Sequence, residues 1–545
     1  MSSFKARIFV NLWGSFSVYT EDGVNITPRL KKCQALIAML ATAHDGRRSR
    51  SWLQSRLWSD RSSGQASGSL RQALAEIRGR FGEFKDIVTA NRQSVCLDMS
   101  QAKLDEPDYN QEFLEGLDVR DEEFDDWLRL ERAHRSSSRQ LPGTFAETPP
   151  AIQSPLVAPN SDSDPVIVLS AGRAGDPSAG AIETFLIDCV ARSLRENLSI
   201  PTYTDGWTGP NANALKVHIT ASDPIDGQLF LTANCVNSGT TELLWSGNQI
   251  VQQQDSLPFA DVGLLGWLNE IVAAIAEFVG RRGKTSKESQ NATHLGLSAL
   301  RELFSLQSPR VEEADRMLIR AYEIDPRAIF MAWRAQLRGI QLVERHNKNS
   351  QELRDEGLML AQAALQAEPS NSSVLATTAN ARLILDQDII AAEELSRESI
   401  ARNPSNPLAW WSRSFAYLYT DRIEDALQAS ERGHQLSKGS PYRFWWDMQV
   451  AMSACAARRH DKAIQSAERC ATFSSSCRPP MRYLIALHAE NGSVDRASHW
   501  ARKLKALEPD FSVERLILDG DYPASLLRKY DLVQAESLKA INALP

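Results

Sequence analysis

Apolar positions in the first hundred residues change period several times. Residues 7-RIFVNLWGSFSVY-19 are rich in aromatic and β-branched side chains and predict strands with a turn near Gly14. Residues 22-DGVNITP-28 supply turn chemistry. The run 29-RLKKCQALIAMLATA-43 places apolar residues at 36, 37, 40 and 41, a helical spacing with a basic start. Residues 49-SRSWLQSRLWSD-60 predict a short helix, capped by Ser49 or Ser51, with Leu53 and Leu57 as its buried stripe. In 66-ASGSLRQALAEIRGRF-81, Leu70, Leu74, Ile77 and Phe81 predict a third helix. Residues 86-DIVTANRQSVCLD-98 then read as two short strands around a polar tip, Asn91-Arg92-Gln93. The order is strand, three helices, hairpin.

The third helix has an unusual outer face. At 100° per residue from Leu70, positions 68, 72, 75 and 79 point away from the core. They are Gly68, Gln72, Ala75 and Gly79, with Arg71 and Arg78 on the flanks. A solvated face usually carries long charged side chains. Small residues bordered by cations instead let a helix approach the floor of a DNA major groove. There a glutamine pairs with an adenine edge, and arginines reach guanine or phosphate.

Charge strengthens this reading. The chain has 545 residues and a net charge of −7, which does not itself suggest a nucleic-acid binder. Residues 1–100, however, hold 15 Lys/Arg against 8 Asp/Glu, and residues 101–135 hold 5 against 12. A basic module precedes an acidic one.

These residues resemble the winged helix-turn-helix domain of bacterial response-regulator-type transcription factors, in the version found in SARP-type activators. Carrying the resemblance are Lys31-Lys32 with 35-ALIAML-40, then 49-SRSWLQSRLWSD-60, 69-SLRQALAEIR-78, and the hairpin ending at Leu97-Asp98. It covers roughly residues 5–100. It implies an α+β winged helix over 1–100, the effector fold of phosphorelay systems. The implied DNA-binding set is Gln65, Gly68, Ser69, Arg71, Gln72, Arg78, Asn91 and Arg92. Residues 113-FLEGLDVRDEEFDDWLRLERAHR-135 resemble the start of the bacterial transcriptional activator domain, so 101–135 is read as an acidic helical extension. No full activator domain follows. The Ser/Pro-rich stretch 136–165 reads as a flexible linker.

Residues 166–280 predict a small α/β domain. Strands are expected at 166–172, 215–222, 228–238 and 241–251, with helices at 181–197 and 259–280. The order resembles the TolB-like domain, of adenylate-cyclase-associated type, that precedes tetratricopeptide repeats in bacterial regulators. The loop 172-GRAGDPSAG-180 lacks the lysine and the glycine spacing of a phosphate loop.

Residues 290–545 predict an all-α solenoid. Ala314, Gly357, Ala392 and Ala497 each precede a proline by 12 residues. With Ala426 and Ala463 as equivalents, the steps from 314 are 43, 35, 34, 37 and 34. The pattern looks like about six tetratricopeptide units, with a cap from Phe511. Trp411, Tyr419 and Trp445 are the candidate lining of a partner-binding groove; the bland alternative is that these aromatics are repeat core.

No HExxH, Walker A or GxSxG motif occurs, and the seven cysteines form no CxxC pair. No enzyme activity, catalytic residue, metal or cofactor is therefore expected, and the acidic run 121-DEEFDD-126 reads as a solvated face. The apolar run 262–280 contains Asn269, Glu270 and Glu277 and reads as a soluble helix, not a span. The expectation is a bacterial cytoplasmic transcriptional regulator of multidomain fold. Its partners would be double-stranded promoter DNA, a protein in the tetratricopeptide groove, and RNA polymerase, with no membrane. The alternative is a tetratricopeptide scaffold whose winged helix is a protein-interaction module.

Overall fold

The computed structural model describes residues 8–43, 46–61, 63–91, 94–108, 111–137, 166–172, 177–198, 200, 202–204, 214–222, 225, 227–252, 261–282, 292–346, 349–533 and 538. The linker reading lies outside the described residues from 138 onward. The chain divides into two compact units, residues 1–154 with 365–370, and residues 155–364 with 371–545.

The first unit opens with β1 (Ile8–Asn11) and β2 (Ser17–Thr20), an antiparallel pair in which Ile8 opposes Thr20. Three helices follow, α1 (Lys31–Ala41), α2 (Arg50–Leu57) and α3 (Ser63–Phe81). Short β3 (Arg47–Ser49) precedes α2; β4 (Val88–Ala90) and β5 (Ser94–Leu97) form the expected hairpin. The strand order is β3-β5-β4 in one sheet and β2-β1-β6 in the other, where β6 (Ala102–Leu104) lies parallel to β1. Helix α4 (Glu122–Ser137) closes the unit. Ser49 caps α2, accepting from the Trp52 N–H at 3.2 Å.

Two strands escape the sequence pattern. β3 reads Arg-Arg-Ser and has no apolar alternation. Its Arg48 is nevertheless buried, donating through Nε to the Met39 carbonyl at 3.1 Å and lying 4.5 Å over the Trp52 ring. β6 is three residues long, too short to show a period.

The acidic run is not simply a solvated face. Asp121 is buried; it accepts from the Ser59 N–H at 3.1 Å and hydroxyl at 2.8 Å, and lies 3.6 Å from Lys32. Glu123 pairs with the buried guanidinium of Arg56. The acidic extension thus pairs with the half-buried Lys32 of α1 and neutralises Arg56 of α2, a buried guanidinium that would be costly unpaired.

In the second unit the strands are β7 (Val166–Ala171), β8 (Thr202–Thr204), β9 (Ala214–Ala221), β10 (Gln228–Asn237) and β11 (Leu243–Gln252). They form one sheet in the order β11-β10-β9-β7-β8. The expected strands and helices are all present, and β8 is additional. Helices α5 (Pro177–Leu198) and α6 (Val262–Arg282) supply the apolar cover. Val262–Gly280 is the one stretch among the described residues long and apolar enough to cross a membrane. Its Leu264, Leu265, Leu268, Ile271 and Ile275 are spent in this core.

Six antiparallel helix pairs follow. They are α7 (Ala292–Leu303) with α8 (Ser308–Ile324), α9 (Ala328–Val343) with α10 (Ser350–Ala367), and α11 (Ser372–Asp386) with α12 (Ile389–Arg402). Next come α13 (Pro407–Tyr419) with α14 (Ile423–Leu436), α15 (Phe444–Ala456) with α16 (His460–Phe473), and α17 (Arg478–Glu490) with α18 (Val494–Leu507). Two short helices, α19 (Val513–Leu518) and α20 (Ser525–Lys529), form the cap. The repeat alanines 314, 392, 426, 463 and 497 all have no exposed surface. At Gly357 a Cβ would come 2.5 Å from Leu385 Cδ1 and 3.1 Å from Arg338 Cβ, so a larger residue there requires those side chains to shift.

The α/β segment and the helix pairs, read as separate domains, share one core. Leu297 of α7 and Leu436 of α14 belong to the cluster that holds Leu264 and Ile271, and Trp410 packs on it. Gly266 permits this approach: a Cβ there would sit 3.2 Å from the Gln435 carbonyl of α14. Asn269 donates to the carbonyls of Ser405 and Leu436 at 2.8 and 2.9 Å.

Candidate nucleic-acid interface

Helix α3 is held by its inner face. Ala66, Leu70, Ala73, Leu74, Ile77 and Phe81 are buried, and full burial of each large side chain stabilises by roughly 1.5–3 kcal/mol. Outward lie Gln65, Arg71, Gln72, Ala75 and Gly79, all exposed. A Cβ added at Gly64, Gly68 or Gly79 would meet no atom within 4 Å. The glycines are therefore not demanded by packing inside the chain. The first turn of the helix carries no acidic residue of its own.

The other expected residues divide. Ser69 is buried; its hydroxyl donates to the Gln65 carbonyl at 2.8 Å and accepts from Arg61 Nη1 at 2.6 Å. Arg78 is half-buried and donates through Nε to the Val88 carbonyl at 3.0 Å, tying α3 to the β4–β5 hairpin. Asn91 shapes the hairpin tip: its Oδ1 accepts from the Ser94 N–H at 2.8 Å. Arg92 lies outside the described residues. Ser69 and Arg78 are thus engaged within the unit, whereas Arg71 and Gln72 stand on its surface.

Arg50, at the start of α2, was not among the sequence candidates. Burial, then the positive charge of Arg71, lowers its pKa below the ordinary arginine value. Arg50 also donates through Nη1 to the Asn91 carbonyl at 3.5 Å, which sets it beside the hairpin tip. The run 47-RRSR-50 signals the charge, but the assignment of Arg50 to a helix start needs the fold.

The aromatic groove residues lie in the second unit. Trp411 is buried and stacks on Trp445 with centroids 5.9 Å apart. Trp445 meets Phe304 at 5.5 Å, and Phe304 stacks on Tyr442 at 4.4 Å. Tyr419 is half-buried, its hydroxyl 3.1 Å from that of Ser525. These aromatics join α7, α13, α15 and the cap to one another. Among the described residues no group of three metal-ligating side chains occurs.

No family model matches the sequence. No curated protein matches it significantly.

Proposed function

We propose that this chain is a DNA-binding transcriptional regulator of the cytoplasm, with the first unit acting as a winged helix-turn-helix. The bare outer face of α3 carries the reading. Glycines at 64, 68 and 79 have no packing reason to be small, and Gln72 and Arg71 stand exposed between them. A helix of that shape fits a major groove, with the β4–β5 hairpin beside it as the wing. Arg50 and Arg71 would meet phosphates, and Gln72 a base edge. The use of the apolar run of α6 inside a core supports a role away from the bilayer.

The second unit, read as a TolB-like domain fused to tetratricopeptide repeats, would supply the regulatory input, through a protein partner or RNA polymerase. Because Trp411 and Trp445 are spent on internal stacking, that input is not assigned to an aromatic groove.

The test is to map the full chain on its genome and titrate the enriched fragments by fluorescence anisotropy at several salt concentrations. The reading expects preference over random duplex and an affinity falling steeply as salt rises. Equal, salt-insensitive or absent binding to both duplexes would overturn it and favour the scaffold alternative.

A further inference from the structure

The sheet of the second unit ends on β11, and among the described residues no strand pairs with its outer edge. The strand reads LLWSGNQIVQ: ten residues with no charge and no proline. Natural sheets defend such edges with lysine, proline, a bulge or a cover, because unpaired N–H and C=O groups template another strand. The irregularity of register with β10 falls at Cys235/Val236, near the turn, and leaves Trp245 to Gln252 regularly paired. At the other edge β8 has only three residues. Exposed apolar side chains also gather here: Phe230 and Ile250, opposite each other on β10 and β11, are 42% and 53% exposed, and Leu243 57%.

We propose that β11 pairs antiparallel with β11 of a second copy of this chain, joining two five-stranded sheets across a two-fold axis. Charge favours this occupant. A strand without charges meets itself with no like-charge repulsion, while a charged partner strand would find no counterion on it. The outward face of β11 carries Ser246, Asn248, Ile250 and Gln252, all exposed. Hydroxyl and amide groups both donate and accept, so these side chains are complementary to themselves. A two-fold axis normal to the sheet keeps outward residues opposite outward residues, and so places one residue against its own copy. Centring on Asn248 uses the whole run 244–252. It sets Asn248 against the partner's Asn248, and Ile250 against the partner's Ser246.

The test is sedimentation equilibrium on the full chain. Wild type should dimerise in the low micromolar range. Asn248→Lys and Asn248→Asp each bring like charges together and should weaken the dimer by about tenfold or more. An equimolar mixture of the two variants should recover it as a heterodimer. Circular dichroism should match wild type throughout, since position 248 faces outward. A wild type that stays monomeric to about 100 µM overturns the proposal, as do a dimer indifferent to both substitutions and a mixture that fails to recover.

Discussion

The carboxylate of Glu344 accepts a hydrogen bond from the backbone N–H of Arg478 at 3.0 Å, across 134 residues of sequence. The end of α9 is thereby fixed to the start of α17. Arg482 continues the junction, donating to the Val343 carbonyl at 3.0 Å and pairing with buried Glu508, which also accepts from the Tyr522 hydroxyl at 2.7 Å. Burial pushes the Glu344 carboxyl from its ordinary 4.5 up to about 7, with Arg482 and Arg478 opposing the rise. The folded state therefore holds this proton more tightly than the unfolded chain. Its contribution to stability is complete below 4.5 and is lost as pH rises towards 7. Thermal midpoints of wild type and Glu344→Gln should be compared at several pH values in that window. The advantage of wild type over the variant should shrink as pH rises. A difference constant with pH would show that Glu344 is not the titrating group.

The shared core makes the middle segment dependent on the repeats. Residues 166–282 alone would expose the surface of α6 that meets Leu436 and the carbonyls of α14. That fragment should aggregate or bind a hydrophobic dye, whereas residues 166–545 should be monodisperse or dimeric and melt cooperatively. Leu436→Asp in the full chain should lower the melting temperature by several degrees, because it buries an unpaired charge. A well-folded 166–282 fragment would show that the junction is incidental.

Much of this architecture was legible because periodicity reports burial. Leu70, Leu74, Ile77 and Phe81 repeat at a helical interval and are all buried, and the five repeat alanines have no exposed surface. What stayed hidden depends on partners distant in sequence. Nothing local to Arg48 announces that it is buried under Met39 and Trp52 in a strand. Arg78 looks like a flank of the reading face until Val88 comes within 3.0 Å of it. Trp411, Tyr419 and Trp445 suggested a groove lining because a surplus of aromatics cannot be told from core without knowing that Phe304 and Tyr442 meet them.

The outer face of α3 can be tested without disturbing its inner one. A Cβ added at Gly68 would meet no atom within 4 Å, and Gly68→Glu removes a glycine from a helix interior, which favours the helix by about 0.5–1 kcal/mol. The variant should melt no lower than wild type and lose specific and nonspecific DNA binding, since a long anion now blocks close approach. Gln72→Ala should keep overall affinity for random duplex but lose about 1–3 kcal/mol of discrimination at one base pair. Anisotropy with a panel of single-base variants of the enriched site reads both effects. Wild-type binding by Gly68→Glu would show that α3 does not enter a groove.

Arg71 and Arg78 flank the same helix yet should behave differently. Arg71 is exposed, and its charge acts on Arg50, so Arg71→Ala should leave the melting temperature alone. It should weaken binding to all duplexes and reduce the slope of log affinity against log salt by about one, the signature of a lost phosphate contact. Arg78 donates to the Val88 carbonyl and anchors the hairpin. Arg78→Ala should therefore cost about 1 kcal/mol or more of stability. Its effect on DNA should come through a looser β4–β5 hairpin, with the salt slope nearly unchanged. Differential scanning fluorimetry and salt titrations on the two variants separate these roles. If Arg78→Ala proves as stable as wild type and lowers the salt slope as Arg71→Ala does, then Arg78 leaves Val88 on binding and contacts the phosphate backbone itself.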